Sequence, residues 1–307
     1  VTQTRAGLAY GLGAYLLWGV FPFYFGLISM VGPLEVVPWR VAATLVFCAI
    51  IITATRRWGH VGRILRSPRL LGWFSLSSLL LYANWQIFII AIMTGHVLES
   101  SLGYFINPLF TILIGVVFRK ERLTRPQWVA VGVAAVGVTV AAIAYGSFPW
   151  IALGVAVSFG LYGAVHKHAG EAVDGVTGLT VETIASLPVA AAQLLAVSLI
   201  VGINAFSFGA GVTALVFASG IMTAVPLILF GEGTRRLPLA YMGFLQFLTP
   251  ILGFLYGYFV MHEDMPLSRW IGFIAVWIAL TILIADMIAQ QRRAFRPRRS
   301  GPAARLP

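Results

Sequence analysis

The amino-acid sequence predicts an all-α integral membrane protein with ten transmembrane helices in two inverted five-helix repeats. Three observations predict it. The chain is 59% hydrophobic and only 10% charged, with a mean hydropathy of +0.90, whereas about 25% of residues are charged in ordinary soluble proteins. Its basic residues fall on alternate inter-helix segments. Its second half repeats a pattern of the first at a fixed offset.

A run of about 20 mostly apolar residues crosses the hydrocarbon core. Ten such runs lie at about 7–29, 34–55, 70–93, 97–118, 126–145, 149–167, 176–201, 209–231, 237–260 and 267–288. The first is long enough to span and reads as a helix rather than a cleavable leader. Its Gly7 and Gly11 have the small-xxx-small spacing that serves close helix packing or a homo-oligomer contact. The second run carries Arg40 and the single Cys48, which makes no disulfide framework. The third brings Asn84, Trp85 and Phe88 to one face, an amide-and-aromatic wall for a planar or amphipathic solute or, more plainly, helix packing. Pro22, Pro188, Pro226 and Pro250 lie well inside their runs and predict kinks, because proline removes one helical hydrogen bond.

The sequence carries 21 basic residues against 10 acidic. With the N-terminus taken as cytoplasmic, all of the basic residues except Arg40 and Arg269 fall on cytoplasmic segments. This is the positive-inside pattern, and with ten spans it places both termini in the cytoplasm. The charge therefore reports topology, not a nucleic-acid partner, and the lipid bilayer is the partner it implies. The basic tail 291–307 also suits anionic lipid.

Shifted by 142 positions, "NPLFTILIGVVFRKERLTRPQW" falls on "TPILGFLYGYFVMHEDMPLSRW" without a gap, matching Pro108 to Pro250, Gly115 to Gly257, Glu121 to Glu263 and Trp128 to Trp270. Five spans per half is an odd number, so the second copy, 147–290, must be inverted relative to the first, 1–146. Inverted repeats characterise transporters that rock two halves about a central site.

The fourth run, "VLESSLGYFINPLFTILIGVVF", holds polar residues where lipid can satisfy none of them. At 100° per residue Glu99, Ser100, Gly103, Asn107, Phe110 and Thr111 share about one-third of a turn. Tyr104 flanks that stripe, and Pro108 frees a backbone carbonyl near mid-membrane. A polar stripe beside broken backbone marks a cavity lining. Residue by residue, Ser100, Gly103 and Asn107 also suit helix packing. Glu99 is read either as a proton-titrating group at the outer mouth or as an ordinary helix-start carboxylate. The ninth run contributes Tyr241, Gln246 and Thr249, which the shift aligns with Glu99, Tyr104 and Asn107.

Arg40 and Glu182 are also paired by the shift. Each lies about 9 Å deep in a core about 30 Å thick, from opposite faces, so the two are predicted not to touch. Arg40 is expected to meet Glu35 or Glu99. Glu182 is expected to meet Lys167, His166 or Arg235. These would form outer and inner latches broken in turn during transport. Static ion pairs, or Arg40 snorkelling to headgroups, are the plainer readings. "HKH" at 166–168 makes no metal site, since its imidazoles point about 200° apart on a helix. There is no Ser/His/Asp set, phosphate loop or cysteine cluster, and hence no enzyme apparatus and no cofactor.

Over nearly its whole length the chain resembles the RarD branch of the EamA family, in the drug/metabolite transporter superfamily, a branch named for chloramphenicol sensitivity. The resemblance is carried by "AYLLWGVFP", "ANWQIF", "HVLESSLGYFINPL", "FRKERLTRPQWVAV", "TAVPLILF" and "RRLPLAYMGFLQFLTPILGFL". It implies a ten-helix transporter whose cavity is lined by spans 3, 4, 8 and 9 with help from 1 and 6, hence Trp18, Tyr24 and Tyr162 as further lining. The expected function is export of small organic metabolites or drugs across a bacterial inner membrane, coupled to protons or to exchange, with Glu99 first and Glu182 and Glu232 behind it as coupling groups. Alternatives are an intramembrane enzyme or lipid-handling protein, and a channel-like uniporter.

Overall fold

The computed structural model describes residues 2–119, 123–145, 148–170, 173–234, 236 and 245–294, and these contain helices and no strand. In order they form α1 (Thr2–Gly19), α2 (Phe21–Gly26), α3 (Pro33–Ala54), α4 (Trp58–Leu65), α5 (Pro68–Met93), α6 (Val97–Arg119), α7 (Arg125–Tyr145), α8 (Trp150–Gly170), α9 (Gly175–Ile200), α10 (Gly209–Thr234), α11 (Leu248–Phe259) and α12 (Leu267–Ala294). Among the described residues six segments are long and apolar enough to cross a membrane: Ala6–Gly26, Pro33–Ala54, Pro68–Met93, Gly175–Ile200, Gly209–Phe230 and Arg269–Asp286.

The distribution of side chains is that of a protein dissolved in lipid. Glu35, Arg40, Asn84, Asn107, Glu182 and Thr223 are buried, whereas Val46, Ile50, Leu199, Ile200 and Leu267 stand exposed. With no water in the bilayer core, polar groups must find partners inside the bundle, and apolar groups can face outward. The chain is an integral membrane protein.

Two local features depart from the sequence reading. The first run is broken: α1 stops at Gly19, and α2 restarts at Phe21 with Pro22 in its first turn. Pro22 has no N–H for the carbonyl four residues back, so the helix restarts instead of bending. The segment between α3 and α5, which lies between the predicted runs, contains α4, which buries Val61 and Ile64 and leaves Arg63 exposed. That spacing is the apolar stripe of a surface helix.

Helix α1 packs on α10 and α11, α3 on α9 and α10, α5 on α8 and α9, α6 on α8 and α11, and α7 on α12. Close approach requires glycine at two of these crossings. A Cβ on Gly103 would lie 2.5 Å from the Ala152 carbonyl oxygen, and one on Gly220 would lie 2.6 Å from that of Ala43. Gly7 and Gly11 are buried within the chain on α1, so their spacing serves internal packing and is not presented to a second copy. An apolar groove of about 590 Å3 runs between α7 and α12 over Val133, Val136, Gly137, Ile274 and Ala275. It opens on the outer apolar surface, where Val136 and Ile274 are exposed, and lies apart from the polar interior.

Candidate functional site

Two buried polar centres lie inside the bundle, each joining the first half of the chain to the second. The first is built on Arg40 of α3. Its side chain is 2% exposed, and its Nε donates to Thr223 Oγ1 of α10 at 2.5 Å. The guanidinium carbon stands 4.3 Å from the Trp85 ring centroid and 5.2 Å from those of Phe21 and Phe25. Aromatic faces carry negative charge, so this cage attracts the cation. The break between α1 and α2 and the i,i+4 spacing of Phe21 and Phe25 place both rings on the same side.

The second centre is Glu182 of α9, also buried. Ser77 Oγ of α5 donates to Glu182 Oε1 at 2.6 Å, and His166 Nδ1 of α8 lies 2.8 Å from the same oxygen. Helix α5 carries both centres, because Trp85 and Ser77 are eight residues apart, about 12 Å along the axis. Arg40 and Glu182 are therefore held apart, as the depth argument predicts.

Between the centres run a polar string and an aromatic ladder. Tyr104 donates to Asn84 Oδ1 at 3.1 Å, and Asn84 Nδ2 donates to the Val155 carbonyl and to Ser158 Oγ. Phe88 meets Tyr104, Tyr104 meets Phe159, Phe159 meets Tyr162 and Tyr162 meets His166, at centroid separations of 5.2–5.9 Å. Tyr24 donates to the Leu215 carbonyl of α10. Asn107 is buried, with its Oδ1 3.4 Å from the place a Cβ on Gly160 would take. Asn84, Trp85, Phe88, Tyr104, Tyr24, Tyr162, His166, Arg40 and Glu182 thus share one connected interior.

Other expected residues lie elsewhere. Neither expected partner of Arg40 reaches it. Glu35 accepts from the Asn204 and Ala205 amides at 2.8 Å and from Trp39 Nε1. Glu99 accepts from the Ile151 amide at 3.0 Å, at the first turn of α8. Both carboxylates are drawn to backbone N–H groups that have no helical partner of their own. Burial also rules out snorkelling by Arg40. Ser100 Oγ donates to its own helix at Val97. Thr249 donates to the Tyr15 carbonyl. Trp18 packs on Tyr15 and Phe230. Glu232 pairs with Arg236 one turn on. Gln246 is half-buried. Tyr241, Arg235 and the side chain of Lys167 lie outside the described residues.

Ser77, Phe159, Ser158 and Thr223 went unread in the sequence. Thr223, in "GIMTAVP", is an isolated hydroxyl on an apolar run, and such a residue signals depth without naming a partner. Glu263, in the turn after α11, was legible as the repeat mate of Glu121 but not as a helix cap. It accepts from the Val97 amide at 2.7 Å and from the Leu98 amide, capping α6. Burial pushes its carboxyl up to about 7 against the pull of those two donors, and the charge of Glu99 adds to the rise.

A model of the EamA-like transporter family matches residues 5–143. Protein RarD of Streptomyces exfoliatus is 40% identical over 292 residues, which is 95% of this chain and 92% of that protein. The chain belongs to the EamA-like transporter family, in its RarD branch. Protein RarD of Escherichia coli K12 is 39% identical over 295 residues, covering 95% of this EamA-family chain and 98% of the relative. The uncharacterized transporter YojE of Bacillus subtilis 168 is 38% identical over 294 residues, covering 94% and 97%. A crystal structure with 18% identity superposes over 95% of this chain and 99% of its own, with a TM-score of 0.59. At that identity it speaks for the fold alone.

Proposed function

We propose that this chain is a secondary transporter that exports small organic metabolites or drugs across the bacterial inner membrane by alternating access, with proton coupling at Glu182. The relatives' standing as transporters supports the reaction class, and the RarD resemblance implies the outward direction. The observation that carries the reading is the crossed tethering of the buried charges. Arg40, in residues 1–146, is held by Thr223 of the second half, and Glu182, in residues 147–290, is held by Ser77 of the first.

The helix contacts favour two inverted repeats in ten spans. Under the 142-residue shift the span of α3 answers to that of α9, and the span of α5 to that of α10. The contact of α3 with α10 then has its mate in α9 with α5, and α1 with α10 in α8 with α5. Contacts that map onto themselves join α3 to α9, α6 to α11 and α7 to α12. In this arrangement the halves rock about α5 and α10, opening the Arg40 centre to one side and the Glu182 centre to the other. The termini are cytoplasmic by the positive-inside pattern.

Glu182 is a better coupling group than Glu99. It is an ionisable group at depth beside an imidazole that can exchange its proton, whereas Glu99 is engaged in capping α8. The test is flux in liposomes. A panel of amino acids, nucleosides, polyamines, organic acids and amphenicols is first screened by thermal shift, and the hits are followed with and without a pH gradient in wild type and Glu182→Gln. Gradient-driven flux lost in Glu182→Gln is expected. Flux indifferent to both would make the chain a uniporter or exchanger. A folded chain that moves none of its ligands would sink transport altogether.

A further inference from the structure

We propose that Arg40 is the anion anchor of the solute site and that the solute is an organic monocarboxylate with an aromatic or apolar body. This rests on the transport reading above and names its substrate class. A guanidinium has five N–H donors and no means of losing its charge. In this chain Nε has Thr223, while Nη1 is buried with no hydrogen-bond partner. Among the described residues no carboxylate lies in ion-pair range of it, and the two acids nearest in depth, Glu35 and Glu99, are turned to backbone amides. An unneutralised charge in such surroundings is held at a cost and attracts an anion far more strongly than it would in water.

The surroundings select the anion. Among the described residues Arg40 is the only cation in its cage, whose walls are Phe21, Phe25 and Trp85. One cation neutralises one negative charge, so a monoanion fits and a phosphate dianion would leave charge unbalanced. The terminal edge of a planar guanidinium, which here includes the partnerless Nη1, matches a carboxylate in two-point contact. The flat rings of Trp85, Phe88 and Tyr104 beside it suit an aromatic or apolar body. An α-amino acid carries its ammonium one carbon from the carboxylate, too near to reach the acidic centre at Glu182 about 12 Å away along α5. The cage is closed around Arg40, and because Thr223 belongs to the second half, movement between the halves would open it.

The test uses the purified full chain in detergent at pH 7, with thermal unfolding followed against 3-phenylpropionate, 3-phenylpropanamide, phenylalanine, phenethylamine and inorganic phosphate. The expected result is a saturable rise in unfolding temperature with 3-phenylpropionate alone. Arg40→Met should unfold at or above the wild-type temperature without ligand and lose the response. Arg40→Lys, which keeps the charge but not the two-point edge, should bind the acid about tenfold more weakly. If Arg40→Met does not fold, Arg40→Lys decides, and unchanged affinity there overturns the proposal. So would equal response to acid and amide, a stronger response to phenylalanine or phosphate, a response retained in Arg40→Met, or no response to the acid. In liposomes, acid-selective binding without flux would keep the anchor and remove transport. Saturable flux of neutral or cationic solutes, unaltered in Arg40→Lys, would keep transport and remove the anchor.

Discussion

Replacing Gly220 by alanine tests the contact on which the Arg40 centre depends. The new methyl group would sit 2.4 Å from the Ala43 carbonyl carbon and 2.6 Å from both the Ala43 carbonyl oxygen and the Thr44 amide nitrogen. Backbone atoms cannot rotate aside, so α3 and α10 must part by about 1 Å to restore ordinary contact. The same two helices carry the Arg40–Thr223 bond of 2.5 Å one turn away, and that parting would stretch it to about 3.5 Å, beyond a useful hydrogen bond. Overpacking costs about 1–3 kcal/mol and loss of a hydrogen bond to a charged group about 1.5–3 kcal/mol. The better helix propensity of alanine returns about 1 kcal/mol. The net expectation is a destabilisation of about 1.5–5 kcal/mol, read by thermal unfolding of the purified chain in detergent. Gly163→Ala is the control, because a Cβ there meets nothing within 4 Å, and it should be neutral or stabilising by up to about 1 kcal/mol. Equal unfolding temperatures for Gly220→Ala and wild type would refute the packing of α3 on α10 described above.

The remaining predictions concern the turn after α11 and the acidic centre. Glu263 keeps its proton in the folded chain up to about pH 7, whereas an unfolded glutamate releases it near 4.3. The folded state therefore binds more protons across that interval, and stability should fall as pH rises from about 5 to 7 and then level off. Glu263→Gln should flatten this slope in thermal unfolding between pH 5 and 8, and a slope unchanged in the variant would count against the assignment. Two neighbouring serines should behave oppositely. Ser77→Ala removes the donor to Glu182 and should cost about 1.5–3 kcal/mol. Ser78 is equally buried but its Oγ has no partner, so Ser78→Ala should be neutral or slightly stabilising. Denaturation of both variants in one detergent checks the contrast, and equal losses would show that burial alone, not the bond to Glu182, matters at this level.

Much of the architecture was legible in the sequence. Apart from the ninth run, of which 237–244 lie outside the described residues, the apolar runs correspond to helices that begin and end within a few residues of them, because a run long enough to cross the bilayer must satisfy its own backbone whatever its neighbours do. The break at Val20 was legible only as a kink, since Pro22 dictates a lost hydrogen bond but not whether the chain bends or restarts. The separation of Arg40 from Glu182 was legible too, because position along a span converts directly into depth. The partners of the buried charges were not. Glu35 and Glu99 lie at the right depth for Arg40, yet both turn to unpaired amides, and the bond Arg40 does make reaches Thr223, 183 residues away.

The sequence by itself determined the membrane setting, the apolar runs that become helices, and the position of each charged group along its run. All of these are positions along one axis, set by composition and by the rise of a helix. The tertiary structure alone decided the rotation of each helix about that axis and the choice of neighbour. Those depend on close approach at Gly103 and Gly220 and on competition among buried donors for few acceptors, and so on residues far apart in the chain. From these contacts Arg40 acquired an aromatic cage and a free N–H, and Glu182 acquired a serine and a histidine.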